Sequence, residues 1–294
     1  MRLNLSNSVV LSLVFMLIGL GGLISCSEEL PPVIMTAEEK PLLDTFYLGS
    51  VPAASPKKVL LFDVTGVRCN NCPKAAVLAK SLASSNSGRV EVVALYPKTP
   101  MSLTFPWSGF DTMSTLEADQ IATALGGITS LPLGAVDQVA YNGSKLLNTS
   151  DWGAAVTAQL GKASLFNLNI KSTWKPADGK SRVEIKAVAS STISSNYKWV
   201  VAITESGVKS KQSDQDAPGG SVEDYDHEHA LRGVVGSTLG SDVNTSSVSA
   251  GYTREKHFYL VPKAKWVAAN CDIVVWIYDA NTKEVVQVER VSLK

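Results

Sequence analysis

Residues 65–76 read TGVRCNNCPKAA: two cysteines three positions apart, with Pro73 directly after the second. On the pattern alone Cys69 and Cys72 have four readings: a redox pair, half of a metal site, a structural disulfide, or two unrelated thiols. The flanks narrow them. VLLFDV, residues 59–64, is a short apolar run of the length of a buried strand. PKAAVLAKSLASS, residues 73–85, reads as a helix; Pro73 suits its first turn, and Ala, Leu and Lys are good formers. RVEVVALY, residues 89–96, is a second apolar run. Strand, CxxC turn, helix and strand in that order make a βαβ unit, which implies parallel strands. A structural zinc site needs four ligands. The chain has no second CxxC, and His227, His229 and His257 lie far along the sequence. No metal is therefore expected at the pair, and no cofactor is implied.

Downstream, PKTPMSLTFPWSGFDTM (97–113) carries three prolines and no period, a long loop or insertion. STLEADQIATALGG (114–127) predicts a helix, with Ser114 and Glu117 as a capping box and Gly126 as the stop. ITSLPLGAVDQVAYNGSKLL (128–147) predicts a hairpin around Asn142-Gly143. SDWGAAVTAQLG (150–161) predicts a last helix, with Ser150 as N-cap and Gly161 as terminator. From Ser164 onward the pattern alternates or is β-branched in six runs separated by polar turns, which predicts an all-β sandwich over 164–294. Within it, residues 209–233 form a long polar interruption, of the kind that is functional or flexible.

The beginning of the chain gives an address. Arg2 is the first charge, the next is Glu28, and residues 9–25 are apolar with a small-residue exit. This is the layout of a secretory signal over 1–25; a spanning helix needs ~20 predominantly apolar residues. Residues 26–56, rich in Pro and charge, read as a tether. Outside the cytoplasm disulfides form and persist, so Cys69 and Cys72 are expected to pair. Cys271, in the alternating run NCDIVVWIYDA, reads as a small buried hydrophobe. Basic and acidic residues balance at 27 each, so nothing in the composition suggests a nucleic-acid footprint, and no nucleic-acid partner is expected.

Three stretches carry resemblances. Leu23–Cys26, LISC, resembles the lipobox of bacterial lipoproteins, which implies that Cys26 is acylated and anchors the chain to a membrane. Glu28 and Glu29 behind it resemble a surface-export signal of some Gram-negative lipoproteins. Residues 57–163 resemble the thioredoxin order, with Pro132 in the place of that fold's proline beside the pair. That resemblance implies an exposed, reactive Cys69 at the helix start, where unpaired N–H groups favour a thiolate. It implies an inward Cys72 and makes Asp63 a candidate for that fold's buried proton carrier; the neighbouring Arg68 guanidinium, for its part, would favour a Cys69 thiolate. The chain departs from thioredoxin in having Val67-Arg68 before the pair and Asn-Asn within it. If Cys69 is fully buried, or the two sulfurs cannot reach bonding distance, the redox half of this reading, with Cys69 as the reactive sulfur, is to be dropped and the staple kept.

Together, LISC, DVTGVRCNNCPKAA and DYDHEHALRG (224–233) are similar to the 28-kilodalton outer-membrane-protein family of Gram-negative lipoproteins. That resemblance implies an outer-membrane lipoprotein with adhesion or receptor roles. Tyr225, His227, His229 and Arg232 are then a structural motif or a contact for an unknown protein partner. Two functions follow. One is binding or adhesion through an immunoglobulin-like β-sandwich. The other is thiol–disulfide exchange in the envelope, with Cys69, Cys72 and Pro132 as the catalytic set.

Overall fold

The computed structural model describes residues 42–99 and 101–294. The expected signal peptide, Cys26 and the first part of the tether lie outside the described residues. No described helix is long and apolar enough to cross a membrane.

The chain is mostly β with few helices. β1 (Asp44–Leu48) lies within the expected tether and pairs as an edge strand. β2 (Val59–Val64) leads through the CxxC turn into α1 (Cys72–Ser85) and on to β3 (Val90–Leu95). The short α2 (Met101–Thr104), α3 (Leu116–Ala124), β4 (Leu133–Val136) and α4 (Thr149–Leu160) follow. Ten strands then run to the end: β5 (Phe166–Lys175), β6 (Lys180–Ala189), β7 (Tyr197–Glu205), β8 (Val208–Ser213), β9 (Ser221–His227), β10 (Ala230–Val234), β11 (Ser241–Asn244), β12 (Tyr252–Leu260), β13 (Cys271–Asp279) and β14 (Val285–Ser292).

β2 and β3 are parallel, from Val59 opposite Val90 to Val64 opposite Leu95, and β4 runs antiparallel to β2. Every residue of β2 and β3 is buried, as continuous apolar runs require when both faces are covered. Val59, Leu61, Val90 and Val92 pack on Ala75 and Ala79 of α1 and Trp152 and Val156 of α4. Leu60, Phe62, Val64, Val93 and Leu95 face the other way, onto Ala118, Ile121 and Ala122 of α3. Gly134 in β4 is dictated by Trp152, whose ring lies 2.4 Å from where a Cβ would stand.

The βαβ part and the β-rich part share one sheet. Its order is β14-β13-β7-β10-β3-β2-β4, with β11 beside β7. β10 is the joint: parallel to β3 at Ala94 and antiparallel to β7. A second sheet, β1-β12-β6-β5, encloses another core with β7 and β13, around Phe166, Ile185, Trp199, Ile273 and Ile277. Polar pins tie β14 back to β2 and β3: Gln287 Oε1 accepts from Lys58 N at 2.8 Å, and Arg290 meets Glu91 at 2.9 Å.

Several local expectations are corrected. Thr115, not Ser114, caps α3; its hydroxyl accepts from Ala118 N at 3.1 Å because Thr115 is the residue in extended conformation. Asn148 precedes α4, which places Ser150 inside the helix. Of the expected 128–147 hairpin, β4 is a strand and the return is a bridge of Leu147 to Gly134, with the turn at Asn142-Gly143 in left-handed conformation. The polar interruption is itself β: β8 and β9 form a two-stranded hairpin off the main sheet. Its inward residues, Ser210, Gln212 and Ser213, are buried yet polar, so a search for apolar alternation passes over them.

Candidate functional site

β2 ends at Val64, and Gly66 turns the chain where a Cβ would stand 2.5 Å from Leu103 O. Cys69 and Cys72 are disulfide-bonded, with Cα atoms 5.4 Å apart and Cys72 the first residue of α1. The loop between them is held from two sides. From the 97–113 insertion, Leu103 O accepts from Arg68 N at 2.8 Å and the Trp107 indole N–H donates to Val67 O at 3.2 Å. From the hairpin, the Gln212 amide donates to Gly66 O at 3.2 Å and to Cys69 O at 3.0 Å. Ser213 N donates to Val67 O at 2.8 Å, and Gln215 N to Asn70 O at 3.2 Å.

Two expectations fail here. Cys69 is 3% exposed, no more open than Cys72 at 2%. The two clamps roof it, and that burial counts for the staple. The Arg68 guanidinium does not attend the sulfur; it donates to Phe105 O and Pro106 O and stacks on Trp107 at 3.9 Å. The Leu131–Pro132 peptide is cis at the entry to β4, and Leu131 packs against Gly66, three residues before Cys69.

Beside the pair, and lined in part by the clamping Gln212, a cavity of about 470 Å³ lies between α1 and the β8–β9 hairpin. Its lining includes Cys72 but not Cys69, and it brings together Asp63, Tyr96, Tyr225, His227 and His229. Asp63 is 3% exposed, and its Oδ1 has no hydrogen-bond partner. Burial pushes its carboxyl up to about 7. The Tyr96 hydroxyl lies 2.9 Å from His227 Nδ1. Burial holds the phenol well above its ordinary value and pulls the imidazole down to about 4, partly offset by the Ser210 backbone. A protonated phenol donating to Nδ1 leaves the ring proton on Nε2, which has no partner, and neither has His229 Nδ1. The Tyr225 ring lies against His227 at 4.8 Å.

Of the Tyr-His-His-Arg segment, three side chains reach the cavity and the fourth does not. Arg232 turns away to pair with Glu205 at 3.1 Å. His229 sits at φ 54, the bend between β9 and β10. Cys271 is free and fully buried, its thiol pushed up to about 12 by burial. Among the described residues no group of three or more His, Cys, Asp and Glu is placed to hold a metal ion. Sequence reasoning missed Gln212, Tyr96 and Trp107. Tyr96 closes the apolar run of β3 and reads as core; nothing in the sequence marks Gln212.

Compared with known proteins, residues 120–294 match the family model of outer membrane protein Omp28. No curated protein matches by sequence. Among solved structures, HBP35 of Porphyromonas gingivalis is similar at a TM-score of 0.60 and 17% identity, over 83% of this chain and 76% of that one. A protein of Agrobacterium tumefaciens has a TM-score of 0.48 at 14% identity, over 82% of this chain and 97% of its own. A domain of the outer membrane lipoprotein Omp28 from Porphyromonas gingivalis has 0.28 at 20% identity, over 45% of this chain and 89% of its own. The first likeness shows a shared fold; the other two carry no argument.

Proposed function

The chain belongs to the Omp28 family of outer membrane proteins, and on that premise we propose that it is a lipoprotein, anchored through Cys26, that binds a small ligand in the cavity between α1 and the β8–β9 hairpin. The family places the chain at the outer membrane. One observation carries the binding reading. Asp63 is buried at the cavity with an unpartnered carboxyl oxygen. Buried polar groups are almost always hydrogen-bonded, so the Asp63 oxygen offers an occupant of the cavity an acceptor that no protein group takes. A volume of about 470 Å³ falls in the range of small-molecule sites. Adhesion through the β-rich half is compatible with this site, because β9 forms its outer wall. The fold proposal keeps residues 57–163 as a thioredoxin-like unit and 164–294 as an immunoglobulin-like sandwich. Its support is the parallel β2–α1–β3 unit with a cis proline before β4, and the two facing sheets.

The test is native mass spectrometry of the full chain extracted from its own membrane. The expected result is a bound small molecule, lost on denaturation and absent from an Ala76→Trp variant that fills the cavity. An unliganded wild type, or an adduct that survives in Ala76→Trp, refutes the cavity as a binding site.

Thiol–disulfide exchange stands as a second reading on a separate ground. A staple needs no ionisable group, whereas Asp63 lines the same cavity as Cys72. The reduction potential separates the two. A value within about −120 to −270 mV supports exchange, and one below about −300 mV supports the staple.

A further inference from the structure

We infer that the cavity's occupant is a low-molecular-weight thiol or its disulfide, and that it exchanges with the pair at Cys72 rather than at Cys69. The inference rests on the cavity being a ligand site. Its first ground is coverage. Val67, Cys69 and Asn70, the backbone a docking polypeptide would approach, already accept hydrogen bonds from Trp107, Gln212, Ser213 and Gln215. A protein partner is thus kept from the sulfur that the thioredoxin likeness offers it. The second ground is position: both cysteines are almost fully buried, and Cys72 is the one that lines the cavity. The third is size, since about 470 Å³ holds an amino-acid-sized thiol and excludes a folded protein. The fourth is charge. Lys80, Asp224, Asp226 and Glu228 line the cavity as exposed residues; Asp226 is paired with Lys209 at 2.8 Å, outside it. Both signs stand at the mouth, which suits a zwitterion carrying an ammonium and a carboxylate.

The chemistry balances without a further reactant. A small thiolate, its proton left in water, attacks Cys72 Sγ. The Cys69–Cys72 bond breaks, its electron pair goes to Cys69, and Cys69 takes a proton from water. A second small thiolate then attacks the small sulfur of the mixed disulfide. The small disulfide leaves, and Cys72 departs as a thiolate and is protonated. Two small thiols are oxidised and one protein disulfide is reduced; the reverse sequence oxidises the protein.

The test uses cystine on the full chain, with peptide mapping of the mixed disulfide. In a Cys69→Ser variant Cys72 is expected to form it at least about tenfold faster than Cys69 does in a Cys72→Ser variant, because only Cys72 lines the cavity through which the small disulfide would arrive. Adding Ala76→Trp to Cys69→Ser is expected to abolish the reaction. Should either serine variant fail to fold, oxidised wild type treated with excess cysteine and quenched in acid is mapped instead, with the adduct expected on Cys72. Faster reaction at Cys69, or no effect of Ala76→Trp, overturns the inference. No reaction at either cysteine, with the native adduct still present, overturns it while leaving the cavity's binding role intact.

Discussion

Replacing Asp63 by Asn should change how stability depends on pH more than it changes stability itself. Asp63 is 3% exposed and its Oδ1 is unpartnered, and burial pushes the carboxyl up to about 7. An unfolded Asp titrates near 3.9, so the gap is about 3 units, or about 4 kcal/mol at most. The sign follows from proton counts. Between pH ~4 and ~7 the native state keeps a proton that the unfolded chain releases, so stability falls as pH rises through that window and is flat above it. An asparagine at this position carries no such dependence. Relative to wild type, the Asp63→Asn variant should therefore gain roughly 2–3 kcal/mol between pH 5 and pH 8, less if cavity water screens the charge. Urea unfolding of both proteins at the two pH values measures it. Comparison with the variant cancels the other titrating groups, Asp137 among them, which burial pushes up to about 6. A wild type–variant difference that is the same at both pH values would mean an ordinary carboxylate, and the reading of Asp63 as a buried, unpaired acid would be wrong.

Lys57 and Asp137 form a buried ion pair at 2.7 Å. Lys57→Met should cost about 3–5 kcal/mol by leaving Asp137 unpaired, read as a lower urea midpoint with an unchanged slope. Gln212→Ala strips Gly66 O and Cys69 O of a donor. The loss should be about 1–3 kcal/mol, and the Ser213 amide, which bonds Val67 O, should exchange with deuterium roughly 5–150-fold faster. Unchanged exchange would mean that Gln212 does not hold the hairpin down. Gly134→Ala drives a Cβ into the Trp152 ring and should cost about 1–3 kcal/mol or more, visible as a lowered Tm and altered tryptophan emission.

The βαβ unit was legible in the sequence because β2 and β3 are buried on both faces, and a continuous apolar run of strand length is the mark of that burial. β6 was legible for the opposite reason: its alternating burial writes a period of two into the sequence. The β8–β9 hairpin was not, because the residues it turns inward are Ser210, Gln212 and Ser213. Gln212 is satisfied by a hydrogen bond to a residue 146 positions away, and no local pattern records such a partner. The same cause misled the reading of the cysteines. Cys69 and Cys72 stood out by their spacing, and Pro132 and Asp63 through the likeness of residues 57–163 to the thioredoxin order. What covers Cys69 comes from the insertion after β3 and from a hairpin in the other half of the chain. Cys69 therefore looked open, and the approach through Cys72 stayed hidden until β10 brought the two halves into one sheet.

The claim that the pair is roofed on its Cys69 side and approachable through the cavity is tested most directly by comparing two reductants on the oxidised full chain: free cysteine and a reduced thioredoxin. The account predicts that cysteine opens the Cys69–Cys72 bond and that thioredoxin, per thiolate, is no faster. Reduction by thioredoxin orders of magnitude faster than by cysteine would contradict it, because a protein thiol would then be reaching a sulfur that the Trp107 loop and the β8–β9 hairpin are said to close.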